Sequence, residues 1–202
     1  MEKTHDVIGL GSALMDILVE VNNDKLVEFD LKKGEMHLVD EGKANAILQK
    51  IREHQLQVEY VPGGSSANTL KGMALLGGKV IFVGKIGSDA HGMSYEQQMG
   101  EHGVNLRLSK HDCLTGHSIS FITPDSERTF ATHLGAAINL VKEDVLEADI
   151  AASKILHLEG YQLEGATKEM VLHAIEIAKS HNTLVSLDLA DPGLIRRNKE
   201  LM

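Results

Sequence analysis

A carboxylate set among apolar residues and a glycine-serine turn ending in an amide are the groups whose types and spacing can do chemistry. Asp16 lies in Leu14-Met15-Asp16-Ile17-Leu18, where an ionised side chain costs several kcal/mol unless it is paired or faces water. Its two oxygens accept hydrogen bonds, which suits the vicinal diol of a sugar. The alternative is an edge-strand aspartate turned to solvent. Pro62-Gly63-Gly64-Ser65-Ser66-Ala67-Asn68 follows a short apolar run. Two glycines ahead of a helix let backbone approach a ligand, and the helix start offers unpaired N–H groups. Ser65 or Ser66 is a candidate cap. Asn68, in the first helical turn, can both donate to and accept from a hydroxyl. The same segment also reads as a plain strand-to-helix turn.

Other chemistries lack their residues. Gly9-Leu10-Gly11 begins like a dinucleotide fingerprint, but Leu14 stands where the third glycine belongs, and the chain continues extended. A nicotinamide oxidoreductase is therefore a weak reading. No G-x-x-x-x-G-K-[ST] loop occurs, and Gly63-Gly64-Ser65-Ser66-Ala67 misses the last glycine of a nucleophile elbow. Eleven histidines are scattered without an H-E-x-x-H pair, and Cys113 is the single cysteine, so no metal site and no internal disulfide is expected. Twenty Lys and Arg against 29 Asp and Glu give a net charge of −9, which argues against nucleic-acid binding. The apolar run at 7–19 is broken by Ser12 and Asp16 and is too short to span a bilayer. A cytoplasmic protein with no membrane partner is the expectation.

These groups need elements to hold them. The 202 residues are 43% apolar, enough for a self-sufficient core. Val7-Ile8-Gly9-Leu10 and Val80-Ile81-Phe82-Val83 read as buried strands, and 155–158 and 184–189 as further strands. Helical spacing at 41–54, from Ser65 or Ser66 to about 76, at 89–102 and at 166–181 alternates with them. Val58 to Val61 reads as one more short strand. Alternating strands and helices predict an α/β fold with a parallel sheet covered on both faces. Residues 117–122 instead show two-residue alternation before a polar turn at Pro124-Asp125-Ser126-Glu127. One face of that strand should meet solvent or a ligand. A small β appendage is thus expected from segments near 12–40 and 104–130. After the last strand, Asp191-Pro192-Gly193 closes a loop and 194–202 begin a helix, with nothing following to complete the crossover. Ligands of open α/β sheets sit at the carboxyl ends of strands, so part of the site is expected to be missing.

Gly11-Ser12-Ala13-Leu14-Met15-Asp16, Gly63-Gly64-Ser65-Ser66-Ala67-Asn68 and Val83-Gly84-Lys85-Ile86-Gly87-Ser88-Asp89-Ala90-His91-Gly92 resemble, in order and spacing, the N-terminal signature of the ribokinase (PfkB) family. Thr115-Gly116, Glu127-Arg128-Thr129 and Leu134-Gly135-Ala136-Ala137 resemble its adenosine-kinase-like branch. The resemblance covers essentially the whole chain as the N-terminal portion of one domain. It implies a Rossmann-like α/β/α sandwich with a small β-sheet lid. The implied activity is transfer of the ATP γ-phosphoryl group to a hydroxymethyl oxygen of a nucleoside or sugar, with Mg2+. By matching motif positions, Asp16, Gly63, Gly64 and Asn68 would hold the sugar hydroxyls, with Ser65 as a further polar contact. Met36, Leu38, Ser118 and Leu134 would form the lid wall or simply the lid core. Arg128 would approach the transferred phosphate or remain a solvated turn residue.

The family's glycine-rich D-T-x-G-A-G-D segment, which carries the anion hole and general base, does not occur here, nor does its N-x-x-E segment. The chain is therefore expected to carry the substrate-binding half and to be inactive alone. No catalytic base is assigned, and the main ATP and Mg2+ segments are absent. Tyr161 is the aromatic placed to meet a base, and His133 replaces an expected amide before Leu134-Gly135, so a sugar rivals adenosine as ligand. The family also allows a homodimer through the lid. A binding protein without turnover is the alternative reading.

Overall fold

The computed structural model describes residues 2–190 and 192–200. In chain order its main elements are β1 (His5–Leu10), β2 (Leu14–Glu20), α1 (Asn23–Val27), β3 (Met36–Leu38), α2 (Glu41–Glu53), β4 (Val58–Gly63), α3 (Ser65–Leu75), β5 (Val80–Gly87), α4 (Ala90–Glu101), β6 (Asn105–His111), β7 (Gly116–Ile122), β8 (Arg128–His133), α5 (Glu147–Ala151), β9 (Ser153–Glu159), α6 (Lys168–Ser180), β10 (Leu184–Asp188) and α7 (Pro192–Asn198). Asp191, in the loop expected before the last helix, and residues 201–202, expected within it, lie outside the described residues.

The larger sheet runs β10-β9-β1-β5-β6 with every pairing parallel. Apolar runs on β1, β5 and β9 bury both faces, as the centre of a parallel sheet requires, whereas Leu184 and Val185 of the edge strand β10 are exposed. Ile8, Leu10, Ile81, Val83, Leu156 and Leu158 pack with Val171, Ala174 and Ala178 of α6. On the other face Val7, Val80, Phe82 and Ile86 meet Leu70 of α3 and Tyr95 and Met99 of α4. This is the three-layer α/β/α arrangement expected from the strand-helix alternation.

The smaller sheet runs β3-β8-β7-β2-β4. Its membership differs from the expected segments in two places. Residues 105–111 pair with β5 at the edge of the larger sheet, whereas β4 pairs antiparallel with β2 in the smaller one. β4 lies between α2 and α3 and β6 between α4 and β7, and local pattern does not say which sheet each joins. Ile17, Val19, Ile119, Phe121 and Ala131 on one face pack under Ile47 and Ile51 of α2. Helix α2 starts where the Asp40 side chain accepts from Lys43 N at 2.8 Å. Alternation then turns Leu14, Asp16, Ser118 and Thr132 to the opposite face. Ser118 and Ser120 are buried there, so the polar face of β7 does not simply meet water.

The two sheets join through tight backbone passages. At Gly64, φ is +101°, and an added Cβ would stand 2.1 Å from the Ser12 carbonyl oxygen. Only glycine satisfies both conditions. Gly64 is itself the N-cap of α3 and supplies no side-chain cap, so neither serine plays the capping role expected of it. Ser65 Oγ donates to Asp188, and Ser66 Oγ is buried without a partner. We expect Gly64→Ala to lower stability by at least about 1–3 kcal/mol from backbone strain. Urea unfolding checks this, and an unchanged midpoint would show that the junction relaxes freely.

Candidate functional site

A cavity of about 630 Å3 opens between the inner face of the smaller sheet, the start of α3 and the turn after β9. Strand register builds its floor. Asp16 on β2 pairs with Ser118 on β7, Ser118 with Thr132 on β8, and Thr132 with Leu38 on β3. Four neighbouring strands therefore place one carboxylate, two hydroxyls and an apolar side chain in a row. Ser118 Oγ and Thr132 Oγ1 bond each other at 2.8 Å. Met36, Leu38, Phe130, Leu134, Ile138 and Tyr161 make the apolar wall. Met36 and Leu38 are exposed, so they line an open face and are not packed core.

No hydrogen bond or ion pair to the Asp16 carboxylate is found among the described residues. Burial pushes its pKa up to about 6, against the opposite pull of Lys71 and Arg128. A carboxylate that is desolvated yet has no protein partner can accept from donors brought by a ligand. Gly63 makes room for it: a Cβ there would lie 2.2 Å from Asp16 Oδ2.

Of the other expected site residues, Gly64, Ser65, Ser118 and Leu134 line the cavity with Asp16, Met36 and Leu38. Gly63 stands against Asp16. Asn68 is exposed on the first turn of α3, its backbone N donating to Gly64 O at 2.8 Å, and does not line the cavity. Arg128 is exposed at the start of β8 and acts on Asp16 through charge alone. Tyr161 and Phe130 both contribute rings to the wall. His133 lies 5.5 Å from His117, ring to ring, and does not line the cavity.

Glu159 is the residue that sequence reasoning passed over. It is 1% exposed and accepts from Ser12 N at 2.8 Å, Ser12 Oγ at 2.7 Å, Ser66 N at 3.0 Å and Gln162 Nε2 at 3.2 Å. The carboxylate thus supplies the helix cap that Gly64 cannot, from 93 residues away. It also gives Gly11 its reason, because a Cβ at Gly11 would lie 2.6 Å from Glu159 Oε2. The signal was present as a lone acid closing the strand Ser153-Lys154-Ile155-Leu156-His157-Leu158-Glu159. Its role depends on partners that only folding brings near. Gln162, also on the cavity wall, keeps Oε1 buried without a donor. At the rim Arg197 donates to Glu164 at 2.8 and 3.0 Å, and this pairing holds the Glu164 carboxyl below its usual range. Among the described residues no group of three or more His, Cys, Asp or Glu could hold a metal, and no helix is long and apolar enough to cross a membrane.

Two stability tests follow from this chemistry. The folded pKa of Asp16 lies above its unfolded value of 3.8, so the folded state disfavours the ionised form. Asp16→Asn should therefore stabilise the protein at pH 7 by about 3 kcal/mol, and this gain over the wild type should shrink as pH falls from above 6 towards 3.8. Urea midpoints across that range check the sign; destabilisation by Asp16→Asn would mean that the carboxylate is structural. Glu159→Ala should cost about 3 kcal/mol or more, because it leaves buried N–H donors without an acceptor. An unchanged midpoint would show water taking the carboxylate's place.

Comparison with known proteins agrees with this architecture. Among curated proteins, adenosine kinase 2 of Arabidopsis thaliana is 24% identical, covering 96% of this chain and 58% of its own length. The 5-dehydro-2-deoxygluconokinase of Halalkalibacterium halodurans is 36% identical over 137 residues, 65% of this chain and 41% of that protein. The crystal structure of a probable sugar kinase from Rhizobium etli CFN 42 superposes with a TM-score of 0.88 at 29% identity, over 100% of this chain and 60% of that one. The chain thus spans about half the length of the curated relatives it matches. The pfkB family carbohydrate kinase profile matches residues 25–199, and with the ribokinase-like fold this places the chain in the PfkB family of carbohydrate kinases.

Proposed function

We propose that the cavity binds a nucleoside or sugar through its vicinal diol and presents a hydroxymethyl oxygen for phosphorylation by ATP. The observation that carries this reading is the Asp16 carboxylate, desolvated, without a protein partner, and facing a cavity of about 630 Å3. The diol donates to Asp16 and meets the backbone at Gly63 and Gly64. The apolar wall of Met36, Leu38, Phe130 and Tyr161 takes the remainder of the ligand. That wall favours a flat base or the apolar edge of a sugar, and the names of the relatives support both.

Phosphoryl transfer forms a bond from the hydroxymethyl oxygen to the γ-phosphorus and breaks the bond from that phosphorus to the bridging oxygen of the departing diphosphate. Catalysis of such a step is largely positioning and charge stabilisation. The residues described here supply positioning and a surface that excludes water. The smaller sheet acts as a lid, and Arg128, exposed at the start of β8, approaches the transferred phosphate when that lid closes. Among the described residues no group of three or more His, Cys, Asp or Glu could hold a metal. ATP and Mg2+ are inferred from the family.

Calorimetry with adenosine, inosine, ribose and 2-deoxygluconate tests the reading. At least one of them should bind, and Asp16→Ala should weaken it by several kcal/mol, as expected for a charged acceptor lost from a dry site. Binding that survives Asp16→Ala unchanged would remove Asp16 from the site. With ATP and Mg2+ added, the 202-residue chain should form no phosphorylated product. Turnover would overturn the assignment of a substrate-binding half alone.

A further inference from the structure

On the outer side of the smaller sheet, away from the cavity, three histidines stand in a row. The rings of His91 and His117 are 5.7 Å apart and those of His117 and His133 are 5.5 Å apart, with Tyr60 a further 5.5 Å beyond His91. The row crosses a seam. His91 is on α4 of the larger domain, while His117 and His133 are paired across β7 and β8 of the smaller sheet. Beside it lies a second cavity of about 170 Å3, lined by Asn45 and Leu48 of α2, Asp89, His91, Thr115 and His117 among others.

His117 is 2% exposed. Its Nδ1 lies 3.3 Å from the Thr115 carbonyl oxygen, and its Nε2 is buried without a partner. The neutral ring with hydrogen on Nδ1 therefore satisfies its one donor. A second proton, on Nε2, would have no acceptor. The groups acting on this ring are few: His91 from α4 and His133 from β8, which repel a proton, and Asp89, which attracts one. Met15 of β2 pairs beside it, and the α2 side of the second cavity is uncharged. Asp89 is already committed. It accepts from Gly92 N at 2.8 Å and from Thr115 N and Oγ1 at 2.7 Å each. Thr115 Oγ1 in turn accepts from Gly87 N at 2.9 Å. That knot ties the start of β7 to the end of β5 and the cap of α4, so it is where the smaller sheet is seated on the larger domain.

We propose that the His91–His117–His133 row is a proton-operated latch: neutral rings keep the smaller sheet seated against α4, and protonation in mildly acid solution releases it. A charge on His117 would place a cation between two other imidazoles, with an unmet donor in a buried seam. The structure relieves this only by separating β7 and β8 from α4, which brings water to the ring. Burial holds the His117 pKa below its usual value of 6.5, so the unfolded or unseated state binds the proton better. Seating is complete above the unseated value and is lost as pH falls below it. Asp16, on the inner face, titrates near 6 with the opposite sign, so the latch must be read from histidine variants and not from the pH dependence of the whole protein alone.

Amide hydrogen exchange on the ligand-free chain tests this without reference to any substrate. In an Asp16→Asn background, which removes the opposing titration, protection factors corrected for intrinsic exchange should fall by up to about tenfold for β2, β7 and β8 relative to β1 and β5 between about pH 7.5 and pH 5.5. His117→Gln should abolish that difference. Equal protection of the two sheets at both pH values, or the same differential loss in the variant, overturns the latch. If His117→Gln does not fold, His133→Gln, less buried and at the end of the row, must shift the pH midpoint of the loss. An unmoved midpoint overturns the proposal equally.

Discussion

A buried carboxylate that cannot be left without donors organises this molecule. Glu159 ends β9 at the carboxyl edge of the larger sheet and is almost wholly buried at the wall of the cavity. An ionised group in that position is tolerated only when its oxygens are filled, and the donors come from Ser12, Ser66 and Gln162. Ser12 is on the turn that leads from the larger sheet into the smaller one, and Ser66 is in the first turn of α3. Satisfying Glu159 therefore fixes the angle at which β2 departs and the place where α3 begins. The glycines at 11 and 64 are the steric counterpart, since a side chain at either would collide with this knot.

The candidate site is a consequence of that geometry. With β2 held at its root, alternation decides that Met15, Ile17 and Val19 are buried on one face while Asp16 faces the cavity. The contrast between the two acids is instructive. Glu159 is saturated with protein donors and serves structure. Asp16 has none and carries a pKa raised to about 6, a cost that the fold tolerates without return from its own contacts. Destabilised groups of this kind collect at functional sites.

The second connection between the sheets, through Asp89 and Thr115, relies on hydrogen bonds of the same length but in a less enclosed setting. Two bonds from Thr115 and one from Gly92 hold the Asp89 carboxyl below its usual range although burial opposes this. One junction is thus deeply buried, and the other is bordered by a cavity and imidazoles.

Much of this was legible in the residues. Apolar runs and helical spacing located β1, β4, β5, β7, β9 and β10 and helices α2, α3, α4 and α6, because those patterns depend on neighbours two to four residues away, whereas α1, β3, β6, β8 and α5 carry too little local pattern to stand out. Asp16 and the glycine pair stood out because their types conflict with their apolar or extended surroundings. What local pattern does not contain is the choice of partner. Strands β4 and β6 each suit either sheet, and it is their tertiary pairing, β4 with β2 and β6 with β5, that settles which edge they join. Ser65 and Ser66 have the chemistry of caps, yet a glutamate 93 residues away from Ser66 takes that role. The sequence by itself determined the elements and the groups able to do chemistry. The tertiary structure decided which carboxylate is saturated and which is left open to a cavity, because hydrogen-bond satisfaction in a buried site depends on groups far apart in the chain.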